Sequence, residues 1–254
     1  MTELEMKKYS RNALLGSFVS MLTAGLATMM YSVSISTIRT DLALTAVQAG
    51  SLGTYTFMGQ MLGGMVAGYL ADRYGRKNIL IVDVILATLA VFATSLLQSY
   101  SIFGILRFIT GVGLGGCYYI ASILIGEFVP TNKRGFMSGV ATSVWNFGYV
   151  VCCAMSAFAL PSIGWRWCFR ICALPIVFVI FMIFGMKDAP SFTAAKANRD
   201  KRDKEEGRKV NAYAEIWSHP RMRKSFIIWS ISMILYFYGY YGLITWLPNY
   251  VQSQ

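Results

Sequence analysis

The chain has 254 residues, of which 56% are hydrophobic and only 14% charged. Soluble domains carry about 25% charged residues, and mean hydropathy here is +0.50, which excludes a water-soluble fold, a disordered chain, a collagen and a disulfide-rich secreted module. Lysine and arginine number 23 against 12 acidic residues, a net charge of +11. These charges cluster between long apolar runs, which points to a membrane protein with biased loops rather than to a nucleic-acid binder.

Crossing about 30 Å of hydrocarbon takes roughly 20 apolar residues in a helix. Seven stretches meet that test: Ala13–Thr37, Val47–Ala71, Ile79–Leu97, Ile102–Phe128, Met137–Leu160, Trp167–Met186 and Phe226–Pro248. Each is expected to be helical, because hydrocarbon offers no partner to a free N–H or C=O group. The first stretch is too long for a signal-peptide core and shows no cleavage site, so it is read as retained. The predicted fold is all-α and polytopic: a six-span bundle over 1–186, a basic linker over 187–224, and a seventh span within 225–254.

Loop charge sets the expected orientation. The segments before span 1 and between spans 2–3, 4–5 and 6–7 hold 19 basic residues, against 3 (Arg39, Arg166 and Arg170) on the opposite side. Basic excess marks the cytoplasmic side, so the N-terminus is expected inside, at the plasma membrane. The long loop from Lys187 to Lys224 carries the mixed-charge run Lys201–Glu206 and reads as a solvated linker. His219, the one histidine, lies there beside Trp217 and Pro220 and reads as an interfacial residue. Cys117, Cys152, Cys153, Cys168 and Cys172 all sit in apolar stretches without metal spacing and read as small core residues.

Gly111, Gly113 and Gly116 satisfy the letters G-x-G-x-x-G, but they lie inside one apolar span rather than in a strand–turn–helix, so a dinucleotide is not expected. Glycines at one-turn spacing instead let helix backbones approach. Gly59, Gly63, Gly64 and Gly68 give span 2 a similar stripe, suited to an interface that slides or rocks.

Arg107 lies six residues into span 4, about 9 Å deep. An arginine at a helix centre costs at least about 2.5–3.5 kcal/mol in hydrocarbon, so it must face protein or a water-filled cavity. Gly111, one turn on, is expected to leave room beside the guanidinium. Tying spans together through carbonyls and serving as an anion or proton-coupling site are both open for it. Asp83 and Glu127 lie toward the cytoplasmic ends of spans 3 and 4, and Glu127 is expected to pair with loop arginines.

Several of these residues fall into a known pattern. The run Gly68-Tyr69-Leu70-Ala71-Asp72-Arg73-Tyr74-Gly75-Arg76-Lys77 resembles the loop 2–3 signature of the major facilitator superfamily, G-x-L-A-D-R-x-G-R-[RK]. Arg107-Phe108 followed by Gly111, Gly113 and Gly115 resembles its R-F-x-x-G-x-G-x-G element, and Glu127, Pro130, Arg134 and Gly135 resemble the element that follows. Gly164-Trp165-Arg166-Trp167, Pro190-Ser191-Phe192 and Tyr240–Pro248 also fit, with metabolite and aromatic-acid:proton symporters most alike and sugar porters near. That group commonly has an acid in span 1. Here the stretch reads Ala24-Gly25-Leu26-Ala27-Thr28-Met29, which counts against proton coupling by that route.

The resemblance implies a transmembrane transporter that works by alternating access, with two six-span halves about a central site. It implies a second half that would begin at Phe226, so the sequence reads as a truncated product, a fragment or an incomplete record. It also implies a gate network of Gly68, Asp72, Arg73, Gly75, Arg76, Lys77, Glu127 and Arg134, in which Asp72 faces a helix N-terminus of the second half. The residues nominated for a solute cavity are Arg107, Tyr118, Asn146, Tyr236 and Tyr240, the last two sharing a helix face. One arginine among aromatic walls suits a small organic anion. The expected partners are that solute, the lipid bilayer and, as a candidate coupling ion, the proton. A sugar or drug transporter, and a non-transporting remnant that needs a complementary half, are the alternatives. With no nucleophile–base pair, metal spacing or phosphate loop in context, neither an enzyme nor a cofactor or metal is expected.

Overall fold

The computed structural model describes residues 3–188, 192–193, 197, 217–233 and 235–236, with side chains described from Lys8 onward. The chain divides into two compact units, Met1–Ala197 and Asn198–Gln254. The first unit is a bundle of long helices: α1 (Glu3–Asp41), α2 (Ala46–Tyr74), α3 (Arg76–Thr94), α4 (Tyr100–Phe128), α5 (Thr131–Ala154), α6 (Leu160–Cys172) and α7 (Phe178–Gly185). In the second unit the described residues are helical over 220–233 and 235–236, and the Trp217 and Phe226 rings lie 6.4 Å apart.

Local chemistry explains the helix ends. Ala43 takes a positive φ of 49° after α1. Thr45 then starts α2 with a capping box: its hydroxyl accepts from the Gln48 N–H at 3.2 Å, and its own N–H donates to the Gln48 side chain at 2.9 Å. Gly75 separates α2 from α3 at φ +103°, a region that only glycine enters freely. Val129 is extended (φ −98°, ψ 131°) because Pro130 follows it, and that ends α4.

The first four predicted spans match α1 to α4, although α1 begins ten residues before Ala13 and α3 stops at Thr94, short of Leu97. Lys8–Asp41, Arg76–Thr94, Tyr100–Phe128 and Thr131–Gly185 are long and apolar enough to cross a membrane. The fifth and sixth spans differ from expectation in their boundaries. Helix begins at Thr131 rather than Met137, and no loop separates Leu160 from Trp167. A π-helical turn, Met155–Ala159, carries α5 into α6, and the path breaks only at Gly164 (φ +76°, ψ 163°). Pro161 has no N–H to donate back along the helix, and the wider turn sits directly before it. Pro175 has the same effect on the sixth span, where a 3-10 turn, Leu174–Val177, divides the apolar run.

Met30, Leu52, Leu80, Phe103, Leu114, Ile120, Leu124 and Phe169 are buried in one cluster among α1 to α6. Cys117, Cys152, Cys168 and Cys172 are buried as expected, while Cys153 is exposed. Lipid tails are as apolar as these side chains, so close packing rather than hydrophobic transfer holds such helices together. The glycines permit the closest packing, between α2 and α4. A Cβ on Gly59 would come within 3.0 Å of the Phe108 carbonyl carbon and the Val112 nitrogen, and one on Gly111 within 2.9 Å of the Gln60 nitrogen. The space at Gly111 is therefore filled by the α2 backbone, not left open beside Arg107 as the sequence suggested.

At the Asp41 end, one carboxylate oxygen ties α1 to α6. Asp41 Oδ2 accepts from Trp165 Nε1 at 3.1 Å and from Arg166 at 2.5 Å. Asp41 lies past the apolar run of α1, and the Arg166 and Trp165 donors hold its carboxyl below the usual carboxylate range. A depressed folded-state pKa stabilises above the unfolded value of about 4 and is lost as pH falls through the folded value. Thermal stability in detergent, scanned downward from pH 5, is expected to show an acid-side loss that Asp41→Asn removes.

Candidate functional site

Two places gather the polar side chains that sequence picked out. The first is the α2–α3 turn. Arg76, at the start of α3, forms an ion pair with Glu127 near the end of α4, and its guanidinium lies 3.5 Å from Asp72, one turn back across Gly75. Arg76 and Glu127 are mostly covered, at 16% and 15% side-chain exposure, whereas Asp72 is open at 56%. The Arg76 guanidinium also lies 5.8 Å from the Phe192 ring centroid.

Asp188, which sequence reasoning passed over, organises this turn. Its Oδ1 accepts the Lys77 backbone N–H at 2.8 Å, serving an unpaired donor at the start of α3. Lys77 Nζ donates to the Ile183 carbonyl at 2.6 Å, so the turn is tied to the end of α7 by both groups of one residue. A Cβ on Gly75 would sit 2.5 Å from Asp188 Oδ2, a second reason for glycine there besides its φ. The remaining nominees are placed otherwise. Arg73 donates to the Tyr69 hydroxyl at 3.2 Å and faces the Tyr74 ring. Arg134 donates to the Val129 carbonyl at 2.9 Å and so covers the end of α4. Gly68 lies on α2 beside open space.

The second place surrounds Arg107. Its side chain is 1% exposed, among the largest fully buried ones. The guanidinium lies 4.4 Å from the Tyr31 ring centroid and donates weakly to the Ala27 carbonyl at 3.5 Å, and its Nε has no hydrogen-bond partner. Tyr31 is held in turn by a 2.5 Å hydrogen bond from its hydroxyl to the Ala49 carbonyl of α2. Arg107 and Tyr31 line a cavity of about 250 Å³ together with Thr28, Ser32, Thr56 and Phe57. A desolvated guanidinium over an aromatic face gains about 2 kcal/mol, which offsets part of its burial cost but leaves donors unused.

Of the other nominated cavity residues, Tyr118 and Asn146 of the first unit do not line the Arg107 cavity. Tyr118 is 38% exposed on α4, edge-on to Tyr119 at 5.6 Å. Asn146 is exposed on α5 and donates to the Thr142 carbonyl at 3.0 Å. Tyr236 is exposed in the second unit, and Tyr240 lies outside the described residues. Tyr31, Ser32 and Thr56 were missed because nothing in local spacing says which helix faces Arg107. Asp83 is a further buried acid: its carboxyl fills the space that glycine leaves at Gly116, and its Oδ2 has no hydrogen-bond partner.

The profile of the Major Facilitator Superfamily matches residues 17–254. The chain belongs to the major facilitator superfamily. It is 31% identical over 242 residues to the cis,cis-muconate transport protein of Acinetobacter baylyi, covering 95% of this chain and 58% of that one. It is 29% identical over 244 residues to the niacin transporter NiaP of Acinetobacter baylyi, covering 87% of this chain and 55% of that one. The chain thus spans a little over half the length of these relatives. The inward-open xylose transporter XylE of E. coli superposes with a TM-score of 0.66 at 20% identity, over 86% of this chain and 56% of that one, a likeness of fold. The all-α, polytopic fold read from sequence is that of this superfamily.

Proposed function

We propose that the chain forms the N-terminal six-span half, a linker and the first span of a second half of a transporter that moves a small organic acid across the plasma membrane by alternating access. In this reading the N-terminus and the Gly75 end face the cytosol, as the 19-to-3 split of basic loop residues favours. The observation that carries the solute class is Arg107: a guanidinium 1% exposed, its Nε unpaired, on the wall of a 250 Å³ cavity. A carboxylate is the ligand that satisfies such a fork of donors, bidentate and charge-assisted. Tyr31 and Phe57 supply apolar wall for a ring or unsaturated chain, and Thr28, Ser32 and Thr56 supply hydroxyls. The names of the relatives agree, since muconate and niacin are both carboxylic acids.

The pair Arg76–Glu127, with Asp72 and Lys77 beside it and Arg73 and Arg134 on the adjoining ends of α2 and α5, serves as the gate at the cytoplasmic end, where Asp72 meets a helix N-terminus of the opposing half. Coupling to protons belongs to the same proposal. Uptake by proteoliposomes of the purified chain, with labelled cis,cis-muconate, nicotinate and xylose, tests the solute class. Uptake of the acids but not of xylose, stimulated by an inward proton gradient, is the expected result. Selective uptake of xylose would overturn the anion reading, and absence of uptake of any solute would leave the chain as a remnant that needs a complementary half.

A further inference from the structure

A run of aromatic rings joins the Asp41 contact to the Arg107 cavity. Trp165, which donates to Asp41 at 3.1 Å, is 2% exposed, and its ring lies 5.9 Å from that of Phe103 at 50°. Phe103 is 0% exposed and lies 6.3 Å from Tyr31 at 57°. Tyr31 carries the Arg107 guanidinium on its face at 4.4 Å. One unbroken stack therefore runs from a carboxylate at the end of α1, through α6 and α4, back to α1 and onto the arginine of the cavity. Both ends of the stack are pinned by hydrogen bonds, at Trp165 by Asp41 and at Tyr31 by the Ala49 carbonyl.

We propose that Asp41 and Trp165 are positioning residues for the Arg107 cavity, setting through the Trp165–Phe103–Tyr31 stack where the guanidinium lies. Aromatic rings packed in a dense interior move in discrete steps rather than by continuous deformation. Release of the Trp165 indole lets that ring turn, Phe103 follows into the freed space, and Tyr31 loses the packing that holds it under Arg107. The cationic group acting on Asp41 is Arg166, which stacks on the Trp165 ring at 4.4 Å and so belongs to the same clasp. As a statement about cavity shape, the proposal rests on the anion reading only for its functional meaning.

The test reads the cavity from its open side. Ser32, exposed at that side of the lining, is replaced by cysteine to report how a small thiol reagent reaches the cavity wall in the purified full chain. Asp41→Ala is expected to change the labelling rate at Ser32→Cys about fivefold, within the range seen for coupling through packed side chains. Labelling of native Cys153, exposed and outside the stack, is expected to stay the same and controls for general loosening. Asp41→Glu is expected to restore the rate, and Trp165→Phe to give the same change as Asp41→Ala with no further effect in the double variant. Unchanged labelling at Ser32→Cys in both variants, or an equal change at Cys153, would overturn the proposal. No solute is needed. A labelling shift together with uptake of xylose but not of the carboxylates thus removes the anion reading alone, and Arg107-dependent carboxylate uptake with unchanged labelling removes the positioning role alone.

Discussion

Arg107→Ala is expected to lower proteoliposome uptake of a carboxylate such as nicotinate by about 100-fold, equivalent to about 3 kcal/mol of lost interaction with the anion. The size follows from burial. At 1% exposure the guanidinium acts in a low dielectric, and a carboxylate that reaches the cavity loses its water with no other cation among the described lining residues to replace it. Arg107→Lys keeps the charge but not the planar fork, and is expected to recover only part of the rate. The folded state should respond in the opposite sense or hardly at all. Removing a buried charge with an unpaired Nε relieves a desolvation cost, while the Tyr31 contact, about 2 kcal/mol at most, is lost. A thermal midpoint near that of the parent, beside the loss of uptake, is the outcome that assigns Arg107 to solute rather than to tying helices together. Uptake that survives Arg107→Ala, with the midpoint lowered, would assign it to structure instead.

The second large effect is expected at Glu127. Arg76 opens α3, where the helix dipole disfavours a cation, so its charge depends on a facing acid. Glu127 provides that acid from the end of α4. Glu127→Ala is expected to destabilise the bundle by about 2–3 kcal/mol, because the guanidinium stays mostly covered once its partner is gone. The figure sits below the roughly 3–5 kcal/mol of a fully buried pair because both side chains keep about 15% contact with the surroundings. The Asp72–Arg76 contact, at 3.5 Å across the Gly75 break and with Asp72 open to the surroundings, contributes less than about 1 kcal/mol. An SDS-titration cycle over Glu127→Ala, Arg76→Ala and the double variant measures the pair. A coupling below about 0.5 kcal/mol would mean the two charges are solvated separately.

The cluster at the α2–α3 turn was more legible in sequence than the cavity was. Gly75, Arg76 and Lys77 are neighbours in the chain, and the charge pattern places Glu127 at the same membrane face, so a local reading reaches their pairing. Asp188 escaped it, because an acid at the end of a loop carries no mark of the N–H it caps on another helix. Tyr118 and Asn146 were chosen for residue type within spans, yet both lie on faces the first unit leaves uncovered. Pro161 and Pro175 were visible, but whether a proline ends a span, widens it into a π turn or tightens it into a 3-10 turn depends on what packs beside it.

From the residues alone follow the helical class and the apolar surroundings it requires, because hydrocarbon forces every backbone group into an internal hydrogen bond and counts apolar length directly. The glycine stripes likewise announce close approach, here of α2 to α4. Only the packed bundle decides that Arg107 meets Tyr31, that Phe103 and Trp165 carry the stack on to Asp41, and that Asp83 lies against Gly116. These partners stand 33 to 124 residues apart along the chain and on different helices, and rotation of each helix about its own axis, set by which ridges and gaps interlock, is what brings them face to face.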